Sequence, residues 1–159
     1  MANASRTESG KRQPQAMTEG QRHILVVDDD AMFCMAIEIY LQQNNFRVTI
    51  AAGGEAGLRA LRSGQFDLMI IDIFMPHMRG FESIRLFHES APDIPLVAMS
   101  GYAFANLNSP APDFLRMALE LGATRCLRKP FTPAALLTAI YECLPDGRSG
   151  GTVPTARLG

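Results

Sequence analysis

Four groups of residues in this chain can carry chemistry; three stand at the end of a short apolar run and the fourth at the end of a further short strand candidate. Asp28-Asp29-Asp30 follows His23-Ile24-Leu25-Val26-Val27, and Asp72 follows Leu68-Met69-Ile70-Ile71. Ser100 ends Leu96-Val97-Ala98-Met99, and Lys129-Pro130 follows Arg125-Cys126-Leu127-Arg128. Carboxylates packed together repel, so either one takes up a proton or a cation neutralises them. A hard divalent cation suits the set, because magnesium is held by one or two carboxylates plus water and phosphate oxygens. No His or Cys stands where these runs end, which argues against zinc. A carboxylate can also act as a nucleophile and form an acyl phosphate. A lysine brings a compact positive charge to phosphoryl oxygens, and a hydroxyl donates a hydrogen bond to one of them. Together these are parts for phosphoryl transfer.

The elements that must gather these residues can be read from the same pattern. Between the apolar runs lie helical spacings: Phe33, Ile37, Tyr40 and Leu41 up to Asn44-Asn45, then residues 55–62 between Gly53-Gly54 and Ser63-Gly64. Phe81, Ile84, Phe87 and His88 mark a further helix before Ala91-Pro92, and residues 113–121 another that stops at Gly122. Thr132 is placed to cap a last helix with Pro133 at its first position and Leu137, Ile140 and Leu144 as its stripe. Residues 46–51 supply one more strand. Strands apolar on both faces belong to a parallel sheet covered by helices on each side. The spacing therefore predicts a doubly wound α/β fold of five β-α units. In such a sheet all strand C-termini share one edge, where ligand sites form, so the carboxylates, the hydroxyl and the ammonium converge there.

The bulk properties agree with one domain. The chain has 159 residues, 47% hydrophobic and 19% charged, with a formal net charge of −1; neither a nucleic-acid nor a membrane partner is expected. Residues 1–21 are polar and lack an apolar signal core, and residues 145–159 are rich in Gly, so both read as flexible tails around a folded unit at 22–144. A cytoplasmic location is expected. Cys34, Cys126 and Cys143 form no metal-ligand spacing and read as buried or half-buried free thiols. The nine methionines read mostly as core fillers, and His77 and His88 as surface or half-exposed groups.

In this ordered set the chain resembles the response-regulator receiver family of two-component signalling, of the single-domain type that includes chemotaxis regulators. The matching pieces are residues 24–30, then Phe66-Asp67-Leu68-Met69-Ile70-Ile71-Asp72-Ile73-Phe74-Met75-Pro76 with Gly80, then Ile94 to Ser100, then Leu127-Arg128-Lys129-Pro130-Phe131. The resemblance implies a flavodoxin-like sheet of order 2-1-3-4-5 and a magnesium-dependent phosphoacceptor at Asp72. It implies that Asp29 ligates the metal directly, that Asp28 acts mainly through metal-bound water, and that Asp72 and the main-chain carbonyl of Phe74 complete the protein's share. Ser100 matches the switch hydroxyl and Lys129 the basic residue, with a cis Lys129-Pro130 bond. Asp30 reads as an N-cap in preference to a ligand. The expected donor is a phosphohistidine on a histidine kinase or histidine phosphotransfer protein. The downstream target is unknown, and residues 113–144 are the expected output surface.

Three departures accompany the resemblance. Cys126 stands three residues before the lysine, where many receivers have a switching aromatic ring. It reads as a small apolar side chain in preference to a redox centre. Phe74 and Tyr102 lie two residues after the acceptor and the switch serine; their rings either shield the acyl phosphate or are ordinary loop aromatics. The stretch 101–112 is long, with Asn106, Asn108, Pro110 and Pro112 as loop formers, and either reshapes the partner surface or is a tolerated insertion. The expectation is a stand-alone receiver that signals by binding or phosphorelay and is not an enzyme in the usual sense. Two rivals are a phosphorylation-independent interaction module and a magnesium-dependent phosphatase of small phosphoesters.

Overall fold

The structure is a computed structural model that describes residues 20–101 and 114–144. Five strands alternate with five helices: β1 (His23–Val27), α1 (Ala31–Gln43), β2 (Arg47–Ala51), α2 (Gly54–Ser63), β3 (Leu68–Asp72), α3 (Phe81–Ser90), β4 (Leu96–Ser100), α4 (Phe114–Glu120), β5 (Arg125–Arg128) and α5 (Pro133–Cys143). All neighbouring strands are parallel and the order is β2-β1-β3-β4-β5. This is the doubly wound architecture expected from the runs.

The central strands explain why their sequences lack alternation. β3 and β4 are buried at every position, and β1 at all but His23. Ile24 and Val26 point into a layer with Leu41, Ile70, Val97, Leu136 and Ile140. Leu25 and Val27 point the other way, to Met69, Ile71, Ile84, Phe87 and Ala118. Successive strand side chains alternate faces, so a strand with helices on both sides is apolar throughout. Fully burying one such side chain stabilises by roughly 1.5–3 kcal/mol.

Capping fixes where the helices begin. Asp30 Oδ1 accepts hydrogen bonds from the Met32 and Phe33 main-chain N–H groups, both at 3.0 Å, and starts α1 as an N-cap. The Thr132 hydroxyl accepts from Ala135 N at 3.1 Å, with Pro133 at the first helical position. Asn44 closes α1, and Asn45 follows with φ 65°. Phe46, expected inside the strand, precedes β2. Its N–H donates to Leu41 O at 3.0 Å and its ring is buried, so it terminates the helix and seals the core below it.

The methionines divide: Met69, Met75 and Met99 are buried and Met78 packs half-buried against the same core, as core fillers do, but Met32, Met35 and Met117 are exposed. α1 turns Cys34, Ile37 and Leu41 inward and leaves Met32, Met35 and Ile39 facing water. Apolar residues on both faces of one helix hide that division from a hydropathy pattern. The expected tail at 145–159, and that at 1–21 except Gly20 and Gln21, lie outside the described residues.

Candidate functional site

The strand register sets the pocket. The Asp28 N–H donates to Ala51 O at 3.2 Å and extends the β1–β2 pairing by one residue. Asp28 Oδ1 then accepts from Asp30 N at 2.9 Å, which folds the chain over into α1. Asp72 is the last residue of β3; its Oδ1 accepts from Phe74 N at 2.9 Å. Lys129 is joined to the β4 edge by its N–H, which donates to Ser100 O at 2.7 Å. The Lys129–Pro130 bond is cis.

Carboxylate oxygens of Asp28, Asp29 and Asp72 all lie within 4.8 Å of one another. Asp28 and Asp72 are buried while Asp29 is exposed, so the cluster opens to water on the Asp29 side. Lys129 Nζ lies 2.5 Å from Asp28 Oδ2 and 3.4 Å from Asp72 Oδ2, with its side chain only 20% exposed. Burial pushes the Asp28 carboxyl above the usual carboxylate range; the Lys129 hydrogen bond opposes this most strongly, followed by the bond from Asp30 N. Cys34 lies beneath, its thiol donating to Asp28 O at 3.5 Å. Burial raises its pKa to about 11, and the neighbouring Asp28 carboxylate adds to this. It stays a neutral thiol.

Three hard oxygen donors with no thiolate or imidazole among them fit magnesium and not a soft metal. One face is accessible, as an ion that keeps several waters requires. Ser100 ends β4, buried, on the same sheet edge. The main chain of Phe74 is tied to Asp72 through its N–H. The Phe74 ring packs with the second core cluster and lies 3.8 Å from where a Cβ on Gly80 would stand. It is engaged in loop packing. Tyr102 and residues 102–113 lie outside the described residues. Cys126 is half-buried against the second cluster, with its pKa raised by burial to about 11.

One neighbour of the site carries no signal in the sequence. The ring of Phe33 lies under the Lys129 ammonium at 3.9 Å. Its helical spacing marks Phe33 as a core position and does not connect it to residue 129.

Comparison with known proteins agrees with this geometry. The family model described as the response regulator receiver domain matches residues 24–141. The transcriptional regulatory protein ZraR of Klebsiella oxytoca is 33% identical over 132 residues, covering 83% of this chain and 28% of that protein. A CheY-like receiver domain protein from Methanospirillum hungatei superposes with a TM-score of 0.67 at 30% identity, covering 77% of this chain and 92% of that one. The chemotaxis protein CheY4 of Vibrio cholerae gives 0.66 at 27% identity, covering 78% and 99%. The chain spans about half or less of the length of the curated relatives it matches. Among the described residues no helix is long and apolar enough to cross a membrane. With the family model matching most of the folded unit and its acidic edge in place, the chain belongs to the response regulator receiver domain family.

Proposed function

We propose that Asp72 accepts a phosphoryl group from a phosphohistidine donor, with magnesium bound by Asp28, Asp29, Asp72 and the Phe74 main-chain carbonyl. The observation that carries this reading is the convergence of three carboxylates and Lys129 from three separate segments, the ends of β1, β3 and β5. Asp72 Oδ2, held only by the longer Lys129 contact at 3.4 Å, forms the new P–O bond as the donor's P–N bond breaks. The imidazole nitrogen keeps that electron pair and takes a proton. Magnesium, when bound, offsets the charge on the phosphoryl oxygens. Lys129 moves from its carboxylate partners to one of those oxygens, and Ser100 donates a hydrogen bond to another. Phosphorylation then changes which proteins the 113–144 surface binds, through a separate target, a relay partner or an attached output segment. ZraR is by name a transcriptional regulator, so the expectation of no nucleic-acid partner is confined to this domain.

The donor needs a surface beside the pocket. Met32, Met35 and Ile39, exposed by 73%, 55% and 51%, form one face of α1, which starts directly after Asp29 and Asp30. An exposed apolar face of this kind marks a protein-binding surface, and we assign it to the donor.

Acetyl phosphate and beryllofluoride with magnesium test the reading. A magnesium-dependent change that Asp72→Asn abolishes supports it. No change in the wild type favours a phosphorylation-independent module. Steady turnover of small phosphoesters favours a phosphatase. Met35→Glu should slow transfer from a phosphohistidine protein while leaving the acetyl phosphate reaction intact.

A further inference from the structure

The ammonium of Lys129 has a third neighbour besides its two carboxylates. Its Nζ lies 3.9 Å from the centroid of the Phe33 ring, and that ring meets Phe131 edge to face, with centroids 5.9 Å apart and planes at 83°. Phe33 and Phe131 both pack with the first core cluster. The ring is therefore fixed from behind by the residue two places after Lys129 and from below by the core.

Lysine is a point charge on a flexible four-carbon stem, with many rotamers that reach solvent. Asp28 at 2.5 Å and Asp72 at 3.4 Å hold the ammonium by its tip, which leaves the stem free to swing about it. The electron-rich ring face attracts the cation from another direction, and the attraction grows where water is excluded. At 20% exposure the Lys129 side chain is largely desolvated. An aliphatic residue would fill the same space without attracting the charge.

We propose that Phe33 is a positioning residue, whose ring face seats the Lys129 ammonium between Asp28 and Asp72, ready for the oxygens of an incoming phosphoryl group. The functional half of this statement rests on the phosphoacceptor reading above. Phe33 does not touch the reacting atoms; it acts through Lys129.

The sequence makes the test specific, because the chain has only two lysines, Lys11 and Lys129. Protein labelled with ¹³C-lysine gives two ε-methylene resonances. In the metal-free wild type the Lys129 protons should be shifted upfield by the ring. Phe33→Leu should abolish that shift and Phe33→Tyr should keep it. Phosphorylation of Asp72 by acetyl phosphate with magnesium should slow roughly three- to tenfold in Phe33→Leu and stay within about twofold in Phe33→Tyr. Phe33→Met is the second aliphatic variant if Phe33→Leu does not fold. An absent ring shift in the wild type overturns the seat. So does a rate unchanged in the aliphatic variants, or one lost equally in Phe33→Tyr, which would mark a packing role alone. A wild type that keeps the ring shift but never reacts with acetyl phosphate overturns the phosphoacceptor reading and the functional half with it.

Discussion

Lys129 sits closer to Asp28 than to the acceptor: its Nζ is 2.5 Å from Asp28 Oδ2 and 3.4 Å from Asp72 Oδ2. Asp28 is fully buried at its side chain, so the ammonium is what makes its charge tolerable. Lys129→Met should therefore destabilise the metal-free protein by about 2–3 kcal/mol, less than for a fully enclosed pair because the cluster opens to water. Asp72→Asn removes one of three crowded like charges and should cost under about 1 kcal/mol or stabilise. Urea unfolding of both variants at neutral pH checks the ranking. Equal losses would mean that the Lys129–Asp28 contact is not the dominant one.

Magnesium should stabilise the protein through the same cluster. A ligand that binds only the folded state adds about 1.4 kcal/mol at ten times its Kd, or roughly 5 °C in Tm for a domain of this size. Asp29 is the exposed member and the one through which an ion would enter. Asp29→Asn should weaken the magnesium-dependent rise in Tm, with a small effect on Tm in chelator. A rise that survives in Asp29→Asn and Asp72→Asn together would place the ion elsewhere.

Much of this was legible in the sequence because it follows from strand ends. The runs ending at Asp28, Asp72 and Ser100 are uninterrupted apolar segments, and parallel pairing forces their C-termini to one edge. The caps Asp30 and Thr132 were equally plain, since a short polar side chain ahead of an apolar stripe has few other uses. What escaped depends on facing between distant elements. The exposure of Met32 and Met35 on a helix with apolar residues on two faces, and the meeting of Phe33 with Lys129, are set by how α1 rotates against the sheet. Hydropathy records which residues are apolar, not which of two apolar faces turns inward.

At the opposite end of the sheet, His23 should make stability depend on pH. Its Nδ1 lies 2.8 Å from Gln65 O and its Nε2 2.8 Å from Thr49 Oγ1. Its pKa is lowered, chiefly by burial; the Gln65 bond opposes this, Arg47 adds to it, and Asp67 opposes it. The unfolded chain therefore takes up this proton at higher pH than the folded one. The neutral ring's contribution is fully present above about pH 6.5 and is lost as pH falls through that value toward the lower folded one. Urea unfolding from pH 8 to 5.5 should show the decline, and His23→Gln should flatten it. An unchanged slope in His23→Gln would assign the decline to other groups.

The three thiols should be inert in the folded protein. Burial raises Cys34 and Cys126 to about 11 and moves Cys143 upward as well. Since the thiolate is the nucleophile, labelling of Cys34 and Cys126 by a disulfide reagent at pH 8 should be about a hundredfold slower than for an exposed thiol, before any steric protection, and Cys143 should be slowed in the same direction. All three should react at once in denaturant. Rapid native labelling of Cys126 would reopen its reading as a redox centre, since it occupies the fifth-strand position of the switch ring.

Gly57 separates helix propensity from packing. It lies within α2, where alanine is ordinarily favoured by about 1 kcal/mol. A Cβ there would stand 2.8 Å from Val27 Cγ2 and 2.9 Å from Phe87 Cζ. Both neighbours are fully buried, Val27 in β1 and Phe87 in α3, so neither can yield without disturbing the layer between α2 and the sheet. Overpacking of this kind costs about 1–3 kcal/mol, which exceeds the propensity gain. Gly57→Ala should therefore lower the urea midpoint by a net of up to about 2 kcal/mol. The double variant Gly57→Ala with Phe87→Leu tests the cause, because the smaller side chain vacates the contested space. The penalty of the added methyl should shrink in that background. A penalty of equal size in both backgrounds would show that the close approach of α2 to Phe87 does not set it.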